Sequence, residues 1–319
     1  MTVVICLLVR SLSAVQEYDL PLLPDSKAIS DALKTLSRSF SNITSLVESS
    51  TMVNQIPKII WVTRKNSTEN YHDLPKNIKT VLDQNSKWVS VIADDKLALE
   101  FMQKVYANTS LLWAYETINP LLGASKADIW RYAVLYAVGG VYFDADAAFM
   151  GKLDEYIKPD DQMILSWENN FLEPCYKKAY HLHTTDKYYD GHTIIQWIML
   201  TSPQHFILKE TLANLVDIIK SIYKKKSVLL PRITTFHMVL CTTGPHLFSN
   251  TIRNIVNSNS SEFKGIRFDG FDYKDLGGIF KWDSGPEGPE YYVNILKNKH
   301  VKILRHYLNN NRDNDQENE

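Results

Sequence analysis

The chain has 319 residues, 45% of them hydrophobic and 22% charged, with 35 Lys plus Arg against 36 Asp plus Glu and a net charge of -1. That is enough material for one large domain or two small ones around a sizeable core. Near-neutrality excludes a non-specific nucleic-acid binder, which needs a basic excess, and three cysteines (Cys6, Cys175 and Cys241) exclude a disulfide scaffold or a zinc-finger spacing.

Taken in chain order, Val3 to Val9 is an apolar run far shorter than the roughly twenty residues a bilayer span needs. It reads as the core of a signal peptide, with Ser11 and Ser13 ahead of a cleavage point, or as a truncated anchor giving membrane association through the N-terminus. Residues 11–52 are Ser-rich, with helical spacing at Ile29, Leu33 and Leu36. Residues 1–54 are therefore assigned as a signal or anchor remnant with a stem-like segment. Sequons at Asn42, Asn66, Asn108 and Asn259 favour a secretory lumen, where Cys175 and Cys241 could pair.

The domain proper is expected over 55–308. Pro57 opens a short β-branched run, Ile59-Ile60-Trp61-Val62, the pattern of a buried strand. Residues 74–84 read as a helix opening near Pro75, 88–92 as a second strand, and 94–105 as a helix capped by Asp94. This alternation predicts an α/β fold: a mainly parallel central sheet flanked by helices. Lys224, Lys225 and Lys226 read as a solvated helix end. Residues 309–319 are polar and expected to be disordered.

The informative stretch is 123–146. Its first half is a helix, with Ser125 as N-cap and Asp128 three residues on, as in a capping box. Gly139-Gly140 ends it. Val141-Tyr142-Phe143 then forms a strand, with Asp144 at its carboxyl end, the edge where open α/β sheets bind ligands. Where the chain turns out of the strand, Asp144 and Asp146 can approach one cation, and Mn²⁺ or Mg²⁺ commonly bridges carboxylates and substrate phosphates. Such a cation stabilises the charge that builds on a departing diphosphate. Asp128 and Arg131 lie on one helix face at i, i+3. They offer an acceptor and a donor for sugar hydroxyls, or simply a helix-start acid with its surface partner.

The string from Ser125 through Asp128, Arg131, Gly139-Gly140 and Tyr142 to Asp144 and Asp146 resembles the sugar-binding DXD region of glycosyltransferase family 32. Other segments agree: Ile56-Pro57-Lys58-Ile59-Ile60, Gln196-Trp197 with Pro203 and His205, and Thr243-Gly244-Pro245. The resemblance implies a GT-A fold, a nucleotide-sugar donor, Mn²⁺ (or Mg²⁺) and retention of anomeric configuration. It implies metal and diphosphate contacts for Asp144 and Asp146, and donor contacts for Asp128, Arg131, Tyr142 and Gln196. GDP-mannose is the first choice of donor, ahead of UDP-sugars, with a glycan or glycolipid acceptor. Trp61 stands where the family's first strand usually ends in His-Gln, and is expected to stack on the base. His306 fits a third metal ligand or an ordinary surface histidine. Glu168 and Asp190 are the loop acids that could act as a nucleophile, although same-face attack needs neither.

Two other readings stay open on sequence. One is a haloacid-dehalogenase-like phosphohydrolase using Asp144 and Asp146, although Ala148 stands where that motif wants Thr or Val. The other is a non-catalytic carbohydrate- or nucleotide-sugar-binding protein on the same fold.

Overall fold

A computed structural model of the chain describes residues 24–36, 55–64, 71–118, 120, 122–149, 151–168, 193–225, 236–257, 265–268 and 280–282. The readings placed on the N-terminal apolar run, Asn42, Asn66, Cys175, Asp190, Lys226, Asn259, His306 and the C-terminal tail lie outside these residues.

The centre is a six-stranded sheet. In chain order its strands are β1 (Ile59–Thr63), β2 (Val89–Ala93), β3 (Gly140–Asp144), β5 (Met163–Leu165), β8 (Ile198–Thr201) and β9 (Ile266–Phe268). They lie side by side as β2-β1-β3-β8-β5-β9. Neighbours pair in parallel except β8, which runs against both β3 and β5. Short pairs add β4 (Ala147–Phe149) with β10 (Phe280–Trp282), and β6 (Trp167–Glu168) with β7 (Thr193–Ile194). The helices are α1 (Ser26–Leu36), α2 (Lys76–Gln84), α3 (Asp95–Val105), α4 (Ser110–Thr117), α5 (Gly123–Val138), α6 (Leu153–Tyr156), α7 (Phe206–Lys225), α8 (Phe236–Thr242) and α9 (Pro245–Asn257). This is the mainly parallel sheet between helices that the alternation predicts.

Residue alternation along the strands sorts the core into two layers. Ile59, Trp61, Tyr142 and Met199 face α3, α4, α5, α7 and α9 in the larger cluster. Ile60, Val62, Val141, Phe143, Ile198 and Leu200 face Ile78 and Val81 of α2 and Leu153 and Tyr156 of α6. The larger cluster also takes in Ile29, Ala32 and Leu33 of α1, so part of the segment expected to be stem-like belongs to this core. Trp61 is another departure. It is fully buried, meets Trp130 edge to face and donates its Nε1 hydrogen to the Gly139 carbonyl at 2.8 Å. It is a core residue with no face to offer a nucleotide base.

Local signals account for most helix limits. Asp94 accepts from the Leu97 amide at 2.8 Å and caps α3 as expected, and Thr109 caps α4. Helix α5 starts at Gly123 with Leu122 before it, so Ser125 sits inside the first turn and is not its cap. It ends where Gly139 and Gly140 take φ of 73° and 109°, conformations that side chains resist. A Cβ on Gly140 would lie 2.7 Å from the Ile59 carbonyl, and one on Gly139 would lie 2.7 Å from the Pro203 nitrogen. Cys241 of α8 is disulfide-bonded.

Gly140→Ala is expected to cost about 2 kcal/mol or more, from backbone strain and the clash together. Gly123→Ala, with nothing within 4 Å of the new methyl, is expected to be neutral or stabilising. Urea denaturation midpoints of the two variants check the contrast; equal midpoints would contradict it.

Candidate active site

The glycine pair makes α5 and β3 antiparallel neighbours, and elementary geometry then sets which residues meet. From Gly139 back to Arg131 is about 12 Å of helix, and from Gly140 to Asp144 about 13 Å of strand. The helix residue and the strand terminus therefore arrive at the same level, at the carboxyl edge of the sheet. The reversed direction of β8 brings the residues before it, Gln196 and Trp197, to that edge as well. The Trp197 carbonyl accepts from the Asp144 amide at 2.8 Å.

Arg131 is the hub. It is only 4% exposed. Its Nη2 donates to Asp144 Oδ1 at 2.8 Å and lies 3.5 Å from Asp128 Oδ1, and its Nη1 donates to the Gln196 carbonyl at 3.0 Å. The guanidinium also lies 4.7 Å from the centre of the Tyr142 ring. Burial alone would lower its pKa, but Asp144, Tyr142 and Asp128 more than reverse that, so it stays charged. Tyr142 donates its hydroxyl to Asp144 Oδ1 at 2.7 Å and contacts Thr63 Oγ1 at 2.6 Å. Burial raises the Tyr142 pKa well above its ordinary value, which keeps that proton in place.

Asp128 is 5% exposed, and it is not a helix cap. Its Oδ1 accepts from Gln196 Nε2 at 3.0 Å and its Oδ2 from Thr243 Oγ1 at 2.9 Å. Gln196 is fixed in turn, its Oε1 accepting from the Tyr132 hydroxyl. Three segments, the joined α5 and β3, the stretch before β8 and the turn at Thr243, thus converge on Asp128 and Asp144.

The acids suit a cation. Asp144 Oδ1 is taken by Arg131 and Tyr142, while among the described residues no hydrogen bond occupies Oδ2. The side chain is 27% exposed, unlike its buried neighbours. Burial, opposed by Arg131 and reinforced by the charge of Asp146, lifts the Asp144 pKa to about 7. A divalent ion would relieve that crowding. Among the described residues no group of three His, Cys, Asp or Glu side chains converges on a metal position. Were an ion to bind here, the carboxylates of Asp144 and Asp146 could hold it, with phosphate and water oxygens completing its shell, a usual arrangement for Mg²⁺-type ions.

The structure brings Asp128, Arg131, Tyr142, Asp144 and Gln196, singled out by the motif and the family resemblance, to one place, with Asp146 in the following turn. Sequence reasoning missed Tyr132, Thr63 and Asn77. Tyr132 and Thr63 sit in ordinary helix and strand patterns, and only chain crossings reveal what their hydroxyls meet. Asn77 gave a faint signal, a polar residue favouring caps and turns placed inside an apolar helix face. His205, part of a segment that resembles family 32, is buried. Its Nδ1 accepts from the Ile207 amide at the start of α7, and burial lowers its pKa to about 4.

Comparison with known proteins bears on this geometry directly. Residues 72–164, which include α5, β3 and both acids, match the family model described as a glycosyltransferase sugar-binding region containing a DXD motif. Over these residues the chain is similar to the sugar-binding region of that class of glycosyltransferases. Among its relatives is the initiation-specific alpha-1,6-mannosyltransferase of Candida albicans, 26% identical over 211 residues, 63% of this chain and 54% of that protein. The corresponding protein of Schizosaccharomyces pombe is 24% identical over 208 residues, 63% of this chain and 49% of that one. The chain spans about half the length of these curated relatives. Among solved structures, the PaToxG glycosyltransferase aligns with a TM-score of 0.39 at 19% identity, over 74% of this chain and 82% of that one.

Two measurements probe the site's electrostatics. Asp144 and Asp128 both have raised pKa values, chiefly from burial. A carboxylate raised on folding contributes stability that is fully present below its unfolded pKa and is lost as pH rises through its folded value. In chelator, stability should therefore fall as pH rises from about 4 to about 7, and Asp144→Asn should flatten that slope; an unchanged slope would contradict the assignment. Separately, Thr243→Val leaves an Asp128 oxygen without its donor and should cost about 1–3 kcal/mol. Thr243→Ser should restore most of it in the same denaturation assay.

Proposed function

We propose that this chain transfers a hexose, mannose first, from a nucleotide sugar to a glycan or glycolipid acceptor, with retention of configuration and with Mn²⁺ or Mg²⁺ held by Asp144 and Asp146. The observation that carries the reading is the buried Arg131 joined to Asp144 at 2.8 Å, beside Asp128, at the sheet's ligand-binding edge and inside the matched sugar-binding region. The preference for mannose follows the names of the two fungal relatives.

In this reading each residue has a defined task. A cation at the acid pair would neutralise charge on the diphosphate as it leaves. Arg131 holds Asp144 in one orientation and keeps positive charge at the site without a proton to lose. Asp128, steadied on both oxygens by Gln196 and Thr243, retains acceptor capacity for hydroxyls of the donor sugar. That steadied position suits an acceptor rather than a nucleophile. Our reading is same-face attack, which needs neither Glu168 nor Asp190 as a nucleophile: the acceptor oxygen bonds to the anomeric carbon as the bond from that carbon to the phosphate oxygen breaks, and the acceptor's proton passes to the departing phosphate. The phosphohydrolase reading needs Asp144 as a free nucleophile, whereas one of its oxygens is held by Arg131 and Tyr142. We place the protein in the secretory pathway, the Golgi first, because Cys241 is disulfide-bonded and the sequon residue Asn108 is exposed.

A panel of GDP-mannose and UDP-sugars with Mn²⁺, scored for donor hydrolysis and transfer, tests the proposal. GDP-mannose is expected to turn over fastest. Asp144→Asn and Asp146→Asn should each lower turnover by about 10²-fold or more, the usual cost of removing a charge stabiliser. Asp128→Ala should cripple transfer while leaving GDP binding intact. Full activity in chelator, or a β-linked product from an α-configured donor, would sink it.

A further inference from the structure

The turn that carries the second acid is held from outside the motif. Asp144 closes β3, Ala145 and Asp146 form the turn, and Ala147 opens β4. Asn77, the second residue of α2, reaches this turn with its side-chain amide. Its Nδ2 donates to the Ala145 carbonyl at 3.0 Å and to the Ala147 carbonyl at 2.6 Å, so the two bonds bracket Asp146. Asn77 is only 7% exposed, so water does not readily replace those bonds.

The far end of the same helix grips the chain further on. Gln84 Oε1 accepts from the Gly151 amide at 3.1 Å, and Asn85 Oδ1 accepts from the Leu153 amide at 2.7 Å. Between these ends, Ile78 and Val81 pack with Phe143 and Phe149, on either side of the turn. Helix α2 thus runs alongside the turn and the strand after it as a rigid backing, with Asn77 at the acid pair and Asn85 remote from it.

We infer that Asn77 is a positioning residue for the metal and diphosphate site: by bonding the carbonyls on both sides of Asp146, it fixes the backbone that aims that carboxylate beside Asp144. The inference rests on the acid pair being the cation site proposed above. The physical reason is that a two-residue turn has several accessible backbone conformations, and although Ala147 is buried in the core with Ala145 packed against it, two methyl groups fix where the chain lies rather than how its carbonyls are turned. A donor bonded to two carbonyls makes that choice. A cation site is sensitive to it, because ligands held in place before the ion binds need not be ordered by the ion.

The test compares Asn77→Ala and Asn77→Ser with Asn85→Ala. One readout is hydrogen exchange in the peptide covering 140–149. The other is Mn²⁺ affinity in the presence of GDP, measured by calorimetry, with folding monitored by denaturation. Asn77→Ala is expected to speed exchange in that peptide and to weaken Mn²⁺ at least tenfold. Asn77→Ser, with a shorter donor, should fall between it and the wild type, and remains available if the alanine variant folds poorly. Asn85→Ala is expected to lower stability without changing Mn²⁺ affinity. Wild-type Mn²⁺ affinity in Asn77→Ala, whether or not exchange rises, would overturn the inference, as would equal weakening in Asn85→Ala. A wild-type protein that binds no Mn²⁺ at all would instead overturn the metal site itself, and the positioning role with it, while faster exchange in Asn77→Ala would still show that the amide anchors the turn.

Discussion

A charged guanidinium buried beneath the carboxyl edge of the sheet is the constraint around which this molecule is arranged. Taking an arginine out of water is costly unless acceptors surround it. Here Asp144, Asp128, the Gln196 carbonyl and the face of Tyr142 do so. They come from α5 itself, from β3 and from the segment before β8, and they surround Arg131 together only because the reversed β8 and the glycine-ended α5 are both in place. The same constraint leaves Asp144 short of compensation: one oxygen serves Arg131 and Tyr142, and burial lifts its pKa to about 7. A site in which anionic charge is held at some cost is one that gains from a cation.

The surroundings show how that charge is kept in register. Asp128 is tied to Gln196 on one side and to Thr243 on the other, so the segment before β8 and the turn between α8 and α9 both bear on it. Thr63 at the end of β1 contacts the Tyr142 hydroxyl, which donates to Asp144. Asn77 braces the turn beyond. A rigid outer ring of uncharged donors thus holds an inner set of charged groups, an arrangement suited to a site that must be ordered before its ligand arrives.

Burial also decides the role of two residues that the sequence left open. Trp61 is an aromatic at the end of an apolar strand, which by itself fits either a stacking platform or a core residue. Alternation along β1 puts it on the face covered by α5, where Trp130 and the Gly139 carbonyl receive it. Asp128 fits a helix-start acid until the turn at Thr243 is brought against it. In both cases the deciding partner lies about 70 residues or more away in sequence, and no local pattern encodes it.

What the sequence determined by itself was whatever local chemistry dictates. The alternation of β-branched runs and amphipathic helices defined an α/β sheet. Asp94 marked a helix start, and Gly139-Gly140 forced a reversal that only residues without a side chain allow. The lengths of α5 and β3 on either side of that reversal set Arg131 and Asp144 at one level, but the sequence paired Arg131 with Asp128 on the helix and not with Asp144. The tertiary structure decided the rest: that β8 runs backwards and delivers Gln196, that Thr243 closes on Asp128, that α1 joins the core, and that Asn77 grips the turn at Asp146. These are contacts between segments distant in sequence, made by single hydrogen bonds that leave no periodicity in the chain. They arise only when packing brings the segments together.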